Sequence, residues 1–120
     1  MSTHTRRDFD YYAFVDAIAA AHAAWGLSSG APALTGPYGR FVPLWSVRPQ
    51  DFIIAERWPG RTTALISMPM LIGDVLPTIL RDGLLINPMS DADLAGAPIE
   101  PRRLLDDLID RLRQRKRRGG

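Results

Sequence analysis

Apolar residues recur along this chain at two spacings, and each predicts a kind of element. Tyr11, Phe14, Val15 and Ile18 stand at i, i+3, i+4 and i+7, one face of an amphipathic helix over residues 8–23 with Asp8 as its N-cap. Ile72, Val75, Leu76, Ile79 and Leu80 repeat the pattern after Ser67, a capping residue, and stop at Asp82-Gly83. Pro77 lies inside that stripe. In a regular helix it removes one hydrogen bond and clashes with the preceding turn, at a cost of about 3 kcal/mol, so a kink or break is expected there. After Pro101, Leu104, Leu105, Leu108, Ile109 and Leu112 form a third stripe, with Asp106, Asp107 and Asp110 facing outward and Asp107 placed for an i, i+4 pair with Arg111.

Between the helical stripes the pattern is short and β-rich. Trp25-Gly26-Leu27 predicts a strand, Ser28 to Ala31 a turn, Ala33 to Thr35 a second strand, and Gly36 to Gly39 a second turn. Arg40 to Trp45 predicts a third strand. Its Pro43 cannot donate to a ladder, so this strand is expected at a sheet edge or with a bulge. Pro49 to Arg57 predicts a short helix burying Ile53 and Ile54, stopped by Pro59-Gly60. Thr62 to Ile66 has the β-branched, apolar composition of a buried strand, Leu84 to Asn87 predicts another ending at Pro88, and Ala97 to Ile99 a last short one. The expected fold class is α/β of the α+β type: a single domain over residues 8–112, with a small, mainly antiparallel sheet flanked by three or four helices. A flexible N-terminus (1–7) and a basic, disordered tail (113–120) complete the expectation.

Composition narrows the chemistry. With 120 residues there is no room for a second domain, and the absence of cysteine removes disulfides, thiolate zinc sites and a thiol nucleophile. His4 and His22 are the only histidines. The longest apolar stretch, Ala64 to Ile72, is interrupted by Ser67 and Pro69, so no membrane span is expected. Thr5-Arg6-Arg7-Asp8-Phe9 matches the opening of a twin-arginine export signal, but Asp10, Asp16 and His22 interrupt the apolar segment that export requires. The expectation is a cytoplasmic protein. The formal net charge of +2 hides an asymmetry: residues 1–110 carry a net −4, and the last ten carry six positive charges.

The ordered series of landmarks resembles the bacterial family known as the domain of unknown function 2750. Its carriers are an aromatic first helix, Trp25-Gly26-Leu27, the Gly36 to Gly39 turn, Pro43-Leu44-Trp45, Trp58, Ile66-Ser67, Leu76-Pro77, Asp82-Gly83, Pro88, Gly96 and Pro101. The resemblance covers residues 8–112 and implies a small α/β domain with a mainly antiparallel sheet. It brings no established activity or catalytic residue. Several members of this type carry acidic residues in the hairpin between the tryptophan strand and the Pro-Leu-Trp strand; this chain has glycine, proline and alanine there, so no role tied to those carboxylates carries over.

Candidate chemistry is sparse. Asp91-x-Asp93-x-x-Gly96 opens like a calcium loop but has Ala95 and Arg102 where oxygen ligands belong, so it reads as an acidic turn. His22 with Asp16 lacks a nucleophile elbow, and glycines 26, 30, 36 and 39 lack the Gly-Lys-Ser/Thr ending of a phosphate loop. Asp106 and Asp107 point to different sides of a solvated helix. No catalytic residue, metal or cofactor is assigned. Trp25, Trp45 and Trp58 read either as core or as an aromatic patch for a protein partner. Arg111, Arg113, Arg115, Lys116, Arg117 and Arg118 read either as a solubilising tail or as contacts to nucleic acid or an acidic partner. The chain is therefore expected to be a non-enzymatic protein-binding or adaptor domain, an immunity-type protein being one version. Sequence-independent nucleic-acid binding through the tail is the alternative, and an uncharacterised hydrolase the third reading.

Overall fold

The computed structural model describes residues 9–27, 34–36, 39–89 and 96–119. The N-terminal residues 1–7 and the Asp91 and Asp93 turn lie outside them. Helix α1 (Tyr11–Ala21) starts later than expected, because Asp10 and not Asp8 is the N-cap: its backbone is extended and its Oδ1 accepts from the Ala13 N–H at 3.1 Å. His22 ends the helix in the left-handed conformation (φ 55°), which turns the chain directly into β1 (Ala23–Leu27). β2 (Leu34–Gly36) and β3 (Gly39–Trp45) form a hairpin; α2 (Asp51–Arg57) and β4 (Thr63–Ser67) follow. A bent helical run comes next: α3 (Met68–Met70), a π segment (Leu71–Val75) and α4 (Leu76–Arg81). β5 (Leu85–Met89) and α5 (Pro101–Gly119) complete the order.

The bend is the answer to Pro77. The turn before it is widened to π geometry, with the Leu76 N–H reaching Leu71 O, and Pro77 falls in the first turn of α4, where no donor is needed. A Schellman motif closes α4: Leu84 N–H donates to Ile79 O and Gly83 N–H to Leu80 O, with Gly83 at φ +71°.

β3 is the centre of a five-stranded sheet. Phe41 lies between Leu34 of β2 and Leu85 of β5, and Trp45 between Trp25 of β1 and Met89 of β5. β1 and β2 therefore share one margin of β3, both antiparallel, while β5 runs parallel along the other. This corrects the expected edge position of the Pro43 strand. The Ser46 N–H donates to Met89 O, so by alternation residue 43 turns toward the β1/β2 margin, at the gap between β2 and β1, where no described residue pairs with it. Pro43 costs no ladder bond there. Pro88, likewise inside β5, turns its absent donor outward, where its carbonyl accepts from Gly96 N–H at 2.8 Å. Two 2.8 Å bonds join Ile86 and Ile99, a single bridge where a short strand was expected.

The two faces of the sheet hold two apolar clusters. On one, Ala24, Leu44 and Ile86 pack with Phe14, Val15 and Ile18 of α1, Met68, Leu71, Leu76 and Ile79 of the bent run, and Leu104 and Leu108 of α5. On the other, Trp45, Ile54 of α2 and Met89 are joined by partly buried Trp25, Leu27 and Trp58. α5 continues as helix through Gly119, where a disordered tail was expected. No described helix is long and apolar enough to cross a membrane.

Candidate partner-binding surface

One register row crosses four strands on the α2 face: Met89, Trp45, Trp25 and Leu65 are neighbours in turn. α2 covers only part of that row. Met89 and Trp45 are sealed, Trp25 is half-buried and Leu65 is 59% exposed. Trp45 is thus a core residue, which corrects its assignment as a partner contact. Its ring meets Trp58 edge-on at 5.6 Å, and its buried Nε1 has no hydrogen-bond partner among the described residues. Trp25 and Trp58 keep partial exposure. The Arg48 guanidinium stands 5.6 Å from the Trp25 ring centre, within cation–π range.

β4 is half-exposed, where a buried strand was expected, because it pairs only with β1 among the described residues. Beside its first residues lies an open cleft of about 300 Å³, lined by Arg48, Asp51, Ile54 and Ala55 on one side and Arg61 to Thr63 on the other. Arg48 and Asp51, three residues apart on the first of these sides, form an exposed ion pair at 3.4 Å. Leu65, Arg48 and Arg61 were not singled out by sequence reading. Their juxtaposition depends on strand register and on which sheet face α2 covers, and no local spacing reports either.

The basic segment divides. Arg111 Nε donates to Asp16 Oδ1 at 2.6 Å and lies 3.5 Å from Asp110, so it belongs to the α1–α5 seam. The bond to Asp16 raises its already high pKa. The expected Asp107–Arg111 pair is replaced by contacts to α1, since Asp107 accepts from the Tyr11 hydroxyl at 2.6 Å. Burial first, and that bond second, raise the Tyr11 pKa. Arg103 stacks 4.1 Å from the Tyr11 ring centre. Arg113, Arg115 and Lys116 are exposed on the following turns; Arg117 and Arg118 are helical backbone. An open cleft of about 520 Å³ between α1 and α5 is lined by Asp16, Ala19, Ala20, Arg111, Gln114 and Arg115.

His22 is exposed at the end of α1, and Asp106 is exposed while Asp107 is tied to Tyr11. No cluster of three metal-ligating side chains exists among the described residues. Comparison of the chain with protein families, curated proteins and solved structures finds no match.

Proposed function

We propose that this protein is a non-enzymatic protein-binding module of the cell interior, and that it docks its partner on the open end of the tryptophan row, at Trp25 and Leu65. The carrying observation is the gradient along that row, from sealed Trp45 to Leu65 at 59% exposure. Tryptophan and arginine are among the side chains that most often anchor interfaces, and partly exposed Trp25 with Arg48 over its ring stands beside exposed Leu65. The likeness to the domain of unknown function 2750 family belongs to the same proposal, since the Trp-Gly-Leu and Pro-Leu-Trp landmarks are the strands that build the row. A photo-crosslinking residue at position 65, with position 102 on the exposed side of α5 as control, tests it in cell extract. A discrete protein adduct from 65 and none from 102 is expected; equal labelling at both, or none at 65, overturns the proposal.

A second reading, nucleic-acid binding through α5, is favoured by the exposure of Arg113, Arg115 and Lys116 on a helical frame. It is tested by replacing these three with Gln while keeping Arg111. Duplex binding that falls steeply with salt and is lost in the variant supports it. Binding that survives the replacements rejects it.

A further inference from the structure

Resting on the protein-binding reading, we propose that the partner supplies an extended, carboxylate-bearing segment that adds as an antiparallel strand to the outer edge of β4, its carboxylate entering the cleft between Arg48 and Arg61. The sheet has outer margins at β5, at the three-residue β2 and at β4, and they differ. The β5 edge is covered by its bonds to Gly96 and Ile99, whereas β4 pairs only with β1 among the described residues. The Met68 N–H donates to His22 O at 2.8 Å, so Ala64 and Ile66 turn their main-chain groups toward β1. Thr63, Leu65 and Ser67 turn theirs outward. The strand Thr-Ala-Leu-Ile-Ser has no charge and no proline, the devices that ordinarily blunt an edge.

Register and charge give the partner's pattern. Residues of an added strand opposite Ser67, Leu65 and Thr63 place their side chains on the α2 face. The position opposite Leu65 meets its exposed side chain beside Trp25 and takes an apolar residue. The position opposite Thr63, two residues further along the incoming chain, faces the cleft with Arg48 and Arg61. Asp51 also lines that cleft, holding Arg48 at 3.4 Å with both side chains exposed, so an incoming carboxylate competes with it for Arg48. The charge of the cleft favours a peptide over a second copy of this chain: β4 paired with itself about Leu65 sets Ser67 opposite Thr63 and brings no carboxylate.

The test uses the full chain and a capped pentapeptide, Ser-Thr-Leu-Thr-Glu, followed by backbone amide NMR. Expected are shifts at Thr63, Leu65 and Ser67, and affinity reduced about two- to fivefold when the Glu is Gln, as for an exposed ion pair. N-methylation of the peptide leucine, whose N–H faces β4, reduces binding about tenfold or more, while N-methylation of the following threonine does not. In Arg61→Gln and Arg48→Gln variants the Glu and Gln peptides bind alike. Absence of binding, equal affinity of Glu and Gln peptides for the unaltered chain, tolerance of the methylated leucine, or self-association through β4 each overturn strand addition. If position 65 still captures a partner in extract, the parent reading stands without it; if it captures none, both fall.

Discussion

The Tyr11 hydroxyl donates a 2.6 Å hydrogen bond to Asp107, joining the first turn of α1 to α5 across 96 positions of sequence. Arg111 to Asp16 repeats the connection one turn further along both helices. Tyr11→Phe removes one of these ties and leaves a half-buried carboxylate without its donor. A loss of about 1 kcal/mol is expected from urea unfolding.

The same pair gives a pH dependence with a definite sign. Because the folded protein raises the Tyr11 pKa above the ordinary 10.0, its contribution is complete below that value and declines as pH rises past it, where the unfolded chain ionises first. The stability advantage of the unaltered chain over Tyr11→Phe is therefore expected to hold near about pH 8 and to shrink above about pH 10.5. Urea midpoints of both proteins at the two pH values measure it.

Trp45 and Trp25 are register neighbours with different duties. Trp45→Ala empties a sealed site and is expected to cost about 3–5 kcal/mol. Trp25→Ala, at a half-buried site, is expected to cost about 1–2 kcal/mol and leave a folded chain. Thermal and denaturant unfolding separate them, and only the folded variant is informative about partner capture.

Gly96 is held against the Phe9 ring, so a Cβ there would fall 2.5 Å from Phe9 Cδ2. Phe9 in turn packs on Phe14, with ring centres 5.7 Å apart. Gly96→Ala is expected to destabilise by about 1–3 kcal/mol through displacement of that ring. Combining it with Phe9→Leu should recover part of the loss in the same unfolding measurement.

Pro77→Ala tests the account of the bent helix. Since the π turn already removes the need for a donor at residue 77, alanine is expected to change stability by less than about 1 kcal/mol, well short of the roughly 3 kcal/mol that proline costs inside a regular helix. A gain near the larger figure in urea unfolding would show that Pro77 strains the helix.

The helices were legible because their stripes repeat over several turns, as Leu104, Leu105, Leu108 and Leu112 do. What the sequence concealed was tertiary. Pro43 looked like an edge residue because its missing donor is visible in the sequence, while the gap between β2 and β1 that accommodates it is not. Thr63 to Ser67 looked buried because β-branched, apolar residues suit a central and an edge strand alike. The tryptophans were found as a set, yet register alone decides that Trp45 is core and Trp25 is partly open. Asp107 and Arg111 have the spacing of a helical ion pair, and α1 supplies each with a closer partner.

The seam between α1 and α5 also has a consequence in time. Phe14, Val15 and Ile18 share their cluster with Leu104 and Leu108, residues about ninety positions downstream. At ribosomal rates of about 5–20 residues per second, the two sets emerge on the order of 5–20 s apart. Throughout that interval the apolar face of α1 lacks its cover from α5. The nascent chain, rather than the finished protein, is thus the form most open to chaperone capture and to aggregation.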